Sequence, residues 1–231
     1  MSFLPRDMAA HPRALAPDYK SSHLRAPQQA LLKIAQGPTE TSAPLLQASA
    51  IGALDHDLIR NAAKDSAPIG ERILVHGFVR DSFGRPLPGT LIEIWQANAG
   101  GRYRHPNDSY TLAALDPNFN GAGRTLTDAN GHYCFHTIRP GAYPFRNRAI
   151  KGGDWRPAHI HFALMGEGWC QRLITQMYFE GDPLISRCPI VGSIADERQV
   201  RGLIALQDRE AFIELDSRAY RWDITLRAHH D

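Results

Sequence analysis

The chain has 231 residues, which is enough for one large domain or for one domain with an attached arm. Its hydrophobic content of 43% and charged content of 22% are ordinary for a globular protein. The formal net charge of +2 argues for neither a nucleic-acid nor a membrane-surface partner, and no apolar run approaches the ~20 residues that cross a bilayer. There is no signal-peptide pattern, and the three cysteines form neither a disulfide framework nor a zinc motif. These features predict a cytoplasmic protein.

Residues 1–70 differ in composition from the rest of the chain. They contain scattered prolines and little alternation of polar and apolar positions, with one helical pattern at residues 28–36. Several apolar side chains in this part require burial, namely Leu31, Leu32, Ile34, Leu45, Leu46, Ile51 and Leu54. We therefore expect a long irregular N-terminal arm that packs on the core or on a partner chain.

From about residue 71 the pattern becomes that of β-strands. Turns rich in Gly, Pro, Asp and Asn separate five β-rich runs, at residues 73–79, 90–95, 132–138, 159–164 and 173–179. The spacing of apolar residues at 200–204 predicts one short helix, and the alternation at 220–226 predicts a last strand with one buried face. Residues 71–231 are therefore predicted to form an all-β domain, a β-sandwich with Greek-key-like connections and a few short helices.

The segment around two histidines carries the clearest chemical pattern. After Pro157 the sequence alternates like a strand, so His159 and His161 point to the same side. Two imidazoles on one rigid strand, close to the fixed charge of Arg156, are typical of a transition-metal site. The chain has 11 histidines, so the pattern alone also leaves open a pair with no metal.

Two tyrosines upstream lie in unusual settings. Tyr103 follows a predicted strand and a pair of glycines, and Tyr143 lies in a segment rich in glycine and proline. Either tyrosine taken singly could belong to the core or to the surface. Together with His159 and His161 they form a specific combination.

In this combination the chain resembles the intradiol ring-cleaving dioxygenases, which use non-haem ferric iron. Within that family the similarity is to the iron-bearing β chains of the protocatechuate 3,4-dioxygenase type. The segments that carry it are residues 16–20, 68–72, 93–105, 115–119, 140–144, 155–162 and 173–184, so it covers nearly the whole chain. The resemblance implies an oxidoreductase of aromatic catabolism, in the β-ketoadipate pathway. It would convert protocatechuate and O2 to 3-carboxy-cis,cis-muconate in a catalytic domain at residues 71–231.

The resemblance also implies the roles of particular residues. One Fe(III) per chain would be bound by Tyr103, Tyr143, His159 and His161. Phenolate oxygen suits this hard cation, and two phenolates with a solvent hydroxide balance its three charges. Arg156 and Tyr143 would take part in catalysis. The substrate would contact Tyr19, Trp95, Phe145, Gln176 and Ile190.

An assembly is implied as well. The partner would be an iron-free α chain in a hetero-oligomer, and the ligands would be a small aromatic diol and O2, with no nucleic acid or membrane. Phe145 stands where β chains of this type usually have tryptophan, which leaves the substrate range open. One alternative is a homomeric enzyme acting on catechol or hydroxyquinol, although residues 1–70 do not resemble its helical dimerisation region. Another is a non-enzymatic transthyretin-like β-sandwich module, which would need neither His159 nor Tyr103.

Overall fold

A computed structural model describes residues 12–19, 22–30, 32, 50–108, 110–145, 154–165 and 172–227. This part of the chain is mostly strands with short helices, so the all-β fold class is confirmed. The elements in chain order are α1 (Ser22–Arg25), β1 (Arg72–Asp81), β2 (Leu91–Gln96), β3 (Ala122–Leu126), β4 (His132–Ile138), β5 (Tyr143–Phe145), β6 (Asp154–Arg156), β7 (His159–Met165), β8 (Arg172–Phe179), α2 (Glu197–Arg201), β9 (Ile204–Gln207), β10 (Arg218–Arg221) and β11 (Ile224–Leu226). No helix within the described ranges is long and apolar enough to cross a bilayer.

Strand β9 connects the two layers of strands, because it pairs with β10 on one side and with β8 on the other. The order is β11-β1-β10-β9-β8-β7-β2-β3, with β4 paired to β1, while β5 and β6 form a separate pair. The ring of Phe162 on β7 contacts Phe135 on β4 and Trp222 after β10, with centroid distances of 6.3 and 4.8 Å. The β1 and β7 layers therefore face each other across one apolar core, which gives the sandwich arrangement.

The two faces of β7 have different roles. Ile160, Phe162 and Leu164 are fully buried in the core. Because successive side chains of a strand alternate between faces, His159 and His161 lie on the opposite face. Burial of the apolar side chains thus fixes the direction in which the two imidazoles point.

The last predicted strand is divided into β10 and β11. Both run parallel to β1 in one register, with Val75 opposite Tyr220 and Val79 opposite Ile224. Between them Trp222 N–H donates to the His76 carbonyl at 2.8 Å. Gly77 permits this close approach, because a Cβ at that position would collide with the Trp222 carbonyl oxygen. The predicted alternation of buried and exposed residues is confirmed across the break.

Two helix predictions are wrong in part. Residues 28–30 and 32 are not helical, and the helix of this region is α1; the other positions of the 28–36 pattern lie outside the described residues. Leu32 is 87% exposed, so this side chain contributes no burial that would stabilise a short helix there. In the 200–204 pattern the helix ends at Arg201, and Ile204 begins β9 because it pairs with Tyr178 of β8.

Residues 50–70, which belong to the predicted arm, pack against the sheet. Leu58 is fully buried in the main core, and its N–H donates to the His136 carbonyl at 2.8 Å. The Lys64 and Ile69 N–H groups donate to side-chain oxygens of Asn118 and Asp116, at 2.9 and 2.7 Å. This stretch is therefore fixed to the core through both apolar burial and hydrogen bonds.

Candidate active site

Two histidines of β7 form one side of the site. His159 lies opposite Tyr178 of β8, and His161 lies between Trp95 of β2 and Gln176 of β8. Their ring centroids are 5.0 Å apart. The Nδ1 atom of His159 lies 2.7 Å from the Pro157 carbonyl oxygen. Since a carbonyl only accepts, Nδ1 carries the proton and Nε2 presents its lone pair to the site.

Two tyrosines converge on the same histidine. The phenol oxygens of Tyr103 and Tyr143 each lie 3.4 Å from His159 Nε2. The tyrosine rings are 5.5 Å apart, and the Tyr103 ring is 6.1 Å from that of His161. Two phenols and two imidazoles, which come from the loop after β2, from β5 and from β7, therefore surround one point.

A close backbone approach brings the two tyrosines together. Gly101 has a φ of 83°, and a Cβ at that position would collide with the Ala142 carbonyl oxygen. The carbonyl of Asn98 accepts from both Gly101 and Gly141 at 2.9 Å, which joins the segment before Tyr103 to the segment before Tyr143. The glycines noticed beside the tyrosines thus have a steric function.

Burial keeps the four groups neutral in the absence of a cation. Desolvation raises the pKa of the Tyr103 phenol far above its usual value, and the neighbouring Tyr143 raises it further. Desolvation also raises the pKa of Tyr143 itself. Burial, assisted by the positive charge of Arg156, lowers the pKa of His161 to about 4 and that of His159 well below its usual value. Only a bound cation would make phenolates favourable at this position.

Arg156 is a buried cation beside the tyrosines. It is 3% exposed, and Tyr143 is its register partner across the β5–β6 pair. Its guanidinium carbon lies 6.0 Å from the ring centroids of both Tyr143 and Phe145. Among the described residues no carboxylate forms an ion pair with it, and its Nε atom has no hydrogen-bond partner. A buried positive charge of this kind favours an anionic ligand.

Two side chains of β8 hold the guanidinium in place. Arg156 Nη2 donates to Gln176 Oε1 and lies 3.4 Å from the Tyr178 hydroxyl. The Tyr178 hydroxyl donates to the same Gln176 oxygen at 2.7 Å. The sequence analysis did not predict a role for Tyr178. Because Tyr178 follows Gln176 by two residues on a strand, both side chains lie on the same face, and this spacing could have indicated it.

A pocket of about 700 Å³ opens over the converging side chains. It is lined by Tyr103, Tyr143 and His161, with Trp95 and Phe145 among its aromatic walls. The Trp95 ring stacks on His161 at 4.7 Å, with 7° between the ring planes. The size and the mixed polar and aromatic lining suit a small aromatic ligand.

The last two predicted substrate contacts, Tyr19 and Ile190, lie in different surroundings. Tyr19 packs on Phe145 at the pocket wall, with ring centroids 6.1 Å apart. Ile190 packs against a small apolar cluster that contains Tyr178 and Cys188.

Asp108, which was not predicted from the sequence, fixes the loop that carries Tyr103. Its carboxylate accepts the Tyr103 N–H at 2.7 Å and the Tyr110 N–H at 2.8 Å.

Comparison with known proteins identifies the family. A family model described as "Dioxygenase" matches residues 42–228, and one described as "Protocatechuate 3,4-dioxygenase beta subunit N terminal" matches residues 4–36. The chain is 46% identical to the protocatechuate 3,4-dioxygenase beta chain of Burkholderia cepacia, over 96% of this chain and 93% of that protein. It is 32% identical to the alpha chain of the Pseudomonas putida enzyme, over 82% of this chain and 90% of that protein.

Solved structures agree with this result. The fold of this chain matches the crystal structure of 3-chlorocatechol 1,2-dioxygenase from Rhodococcus opacus 1CP with a TM-score of 0.58 and 25% identity, over 76% of this chain and 66% of that one. The chain therefore belongs to the intradiol ring-cleaving dioxygenase family, and over nearly its whole length it is similar to a β chain of the protocatechuate 3,4-dioxygenase type.

Proposed function

We propose that this chain is the iron-bearing β chain of an enzyme that cleaves protocatechuate with O2 to 3-carboxy-cis,cis-muconate. Tyr103, Tyr143, His159 and His161 would hold one Fe(III). The observation that carries this proposal is the approach of both phenol oxygens to within 3.4 Å of His159 Nε2. Residues 1–70 would form the arm and residues 71–231 the catalytic domain.

The donor set fits ferric iron. Phenolate is a hard anionic oxygen donor, which ferric iron favours. The two imidazoles complete a donor set of oxygen and nitrogen atoms. In the described residues no three His, Cys, Asp or Glu side chains cluster to offer another metal site. Two phenolates reduce three positive charges to one, so the buried centre requires only one further anion for neutrality. A dianionic diol that replaced that anion and one phenolate would preserve this balance.

The residues around the metal would bind and orient the substrate. Ferric iron held by these four residues would supply the Lewis-acid and redox chemistry that makes the ring of a bound diol reactive towards O2. Trp95 and Phe145 would hold the aromatic ring between apolar walls. The oxygen of Tyr143 would accept the proton of one substrate hydroxyl, because burial favours the protonated phenol once that oxygen is not bound to a cation. The solvent hydroxide would accept the proton of the other hydroxyl and leave as water. Arg156 would stabilise negative charge that develops on the ring.

Substrate choice tests the proposal. Oxygen uptake by the chain, co-expressed with its α chain, should be much faster with protocatechuate than with catechol or hydroxyquinol. The N-terminal match at residues 4–36, to a model named for the β subunit, supports this expectation over the homomeric alternative. Preference for catechol would favour that alternative, and absence of uptake with every diol would favour a non-enzymatic module.

Removal of the Tyr178 hydroxyl should reduce turnover without loss of iron. The Tyr178→Phe change removes a donor to Gln176 and leaves the guanidinium of Arg156 less firmly held. A hydrogen bond of this kind contributes about 0.5–1.5 kcal/mol, so kcat should fall about 2- to 10-fold while KM changes little. Tyr220→Phe is a matched control, because that hydroxyl also lies 3.4 Å from an arginine, Arg139, away from the pocket. Equal kcat values for the two variants would contradict this role.

Stability of the iron-free protein should fall with pH below neutrality. An unfolded chain protonates histidine near its usual pKa of about 6.5, whereas folded His161 has a pKa of about 4. Between these values the unfolded state binds more protons, so the free energy of unfolding falls as pH falls, by at most about 3 kcal/mol for this group. His159, whose pKa is lowered well below its usual value, contributes a trend of the same sign over this range, whereas Asp223, with a pKa lowered from 3.8, contributes mainly at lower pH. The contribution of His161 is isolated by urea unfolding of the wild type and of His161→Gln at several pH values. The free energy of unfolding of the variant should depend less steeply on pH. Identical slopes would contradict the contribution of His161.

The arm supports the proposed α-chain partner. Leu24 and Leu32 are 93% and 87% exposed, and contact with a partner would bury this apolar surface. We expect the chain to be poorly soluble or nearly inactive when expressed alone and to co-purify with the α chain when the two are co-expressed. A Leu24→Ser/Leu32→Ser variant should weaken the pairing in gel filtration, whereas Leu215→Ser, at a leucine exposed in the turn before β10, should not. A stable, fully active single chain would contradict the partner.

A further inference from the structure

Asp182 lies on the far side of a peptide group that contacts His159. The Pro157 carbonyl oxygen accepts from His159 Nδ1 at 2.7 Å. The Ala158 N–H, which belongs to the same peptide group, donates to Asp182 Oδ2 at 3.0 Å. The C=O and N–H of a trans peptide point in opposite directions. Carboxylate, peptide and imidazole therefore form one continuous chain of hydrogen bonds.

The fold holds the carboxylate in this position. Because β7 and β8 are antiparallel with His159 opposite Tyr178, the residues before β7 lie beside those after β8. Gly181, with a φ of 78°, turns the chain there. The other carboxylate oxygen, Oδ1, accepts the Leu184 N–H at 2.9 Å. Both oxygens of Asp182 are thus engaged, one by its own turn and one by the peptide behind His159.

We propose that Asp182 is a positioning residue that acts on His159 through the peptide group between Pro157 and Ala158. This inference rests on the proposed role of His159 as an iron ligand. Hydrogen bonds in a chain polarise one another, so a carboxylate on the N–H side makes the Pro157 oxygen a stronger acceptor. The stronger bond keeps the proton on Nδ1, fixes the ring and makes Nε2 a better donor towards the space between the two phenol oxygens.

The arrangement extends a known principle of metal sites. A metal-binding histidine usually donates its second N–H directly to a carboxylate or carbonyl, and removal of that partner typically costs 10- to 100-fold in metal affinity. Here the direct partner is a carbonyl of the main chain, which no side-chain substitution removes. Asp182 is the side chain through which the strength of that carbonyl can be changed.

Iron retention distinguishes this role from a purely structural one. The protein, co-expressed with its α chain, would be loaded with iron and mixed with a ferric chelator, and the decay of its visible band would be followed. Asp182→Ala should lose iron several-fold faster than wild type, which is less than the 10- to 100-fold typical for loss of a direct partner, and should show a shifted band. Asp182→Asn, which keeps one acceptor oxygen but no charge, should lie between the two.

A second turn supplies the matched control. Asp128 Oδ1 accepts the N–H groups of Asn130 and His132, both at 2.8 Å, in the turn before β4. Asp128→Ala therefore removes a similar turn carboxylate, and it should lower the thermal midpoint without a change in iron loss.

Failure of the Asp182 inference can be distinguished from failure of the proposed function. If both Asp182 variants lose the fold, or if they lose iron at the rate of wild type and Asp128→Ala, Asp182 is a structural residue and the inference is wrong. If wild type itself binds no ferric iron, the proposed function fails, and the inference fails with it.

Discussion

Replacement of His159 by alanine should release the iron. His159 Nε2 is the atom that both phenol oxygens approach to 3.4 Å, so its loss removes the centre of the donor set. Two phenols and one imidazole remain, and burial favours the protonated form of those phenols. We expect His159→Ala to be purified with little iron and no visible band. His132→Ala, which removes a half-buried histidine on β4, should keep both.

The colour itself should depend on the phenol oxygens. Phenolate donation to ferric iron gives a broad visible absorption, so Tyr143→Phe should keep the ring but shift or weaken that band. Tyr133→Phe is the matched control, because its buried hydroxyl donates to the Trp222 carbonyl at 2.7 Å inside the core. That change should cost about 1 kcal/mol of stability and leave the spectrum unaltered. Full iron occupancy without colour in the wild-type protein would contradict the ligand set.

Replacement of Arg156 by alanine should separate catalysis from metal binding. The guanidinium carbon lies 6.0 Å from the Tyr143 ring centroid, deep in the protein, and its hydrogen bonds go to Gln176 and Tyr178 rather than to a proposed iron ligand. Loss of one preorganised charge typically lowers the rate about 10²- to 10³-fold. Arg156→Ala should therefore keep its iron and its colour, while turnover of protocatechuate falls by that factor.

Arg139 provides the control for this substitution. It is half-buried, and its guanidinium carbon lies 5.3 Å from the Phe179 ring centroid, so it resembles Arg156 in its aromatic surroundings. Arg139→Ala should leave turnover nearly unchanged. Steady-state oxygen uptake, with iron content measured on the same samples, compares the two variants. If Arg156→Ala turns over protocatechuate at the wild-type rate, Arg156 is a structural residue and not a catalytic one.

Strand periodicity predicted part of the site directly. The alternation at 159–164 placed His159 and His161 on one face, and the structure has them there because Ile160 and Phe162 are buried on the other. The same alternation on β8 connects Gln176 with Tyr178, although only Gln176 was predicted. Local pattern is reliable here because one face of β7 is apolar throughout and the corresponding face of β8 is apolar except for Thr175.

The two tyrosines depended on resemblance because their positions depend on long-range contacts. Tyr103 lies in a loop and Tyr143 in a three-residue strand, and neither segment has a period that fixes the direction of a side chain. Their convergence results from Gly101 and Gly141 packing against distant backbone, which no local pattern encodes. The pairing of Arg156 with Tyr143 across β5 and β6 is non-local in the same way.

Strand β3 and the Asp182 contact were missed for similar reasons. The segment of β3 contains Gly123 and Arg124 and lacks the alternation of a half-buried strand, since β3 gains its order from pairing with β2. Asp182 reaches the Ala158 N–H only because β7 and β8 are neighbours. Both features follow from the assembled sheet rather than from local sequence.

The product formed from protocatechuate tests the central claim most directly. The iron-loaded chain, purified with its α chain, would be incubated with protocatechuate and O2, and the product would be identified by NMR and ultraviolet absorption. Cleavage between the two hydroxylated carbons, at a ferric centre held by Tyr103, Tyr143, His159 and His161, predicts 3-carboxy-cis,cis-muconate. The yellow semialdehyde of cleavage beside the diol would contradict that claim.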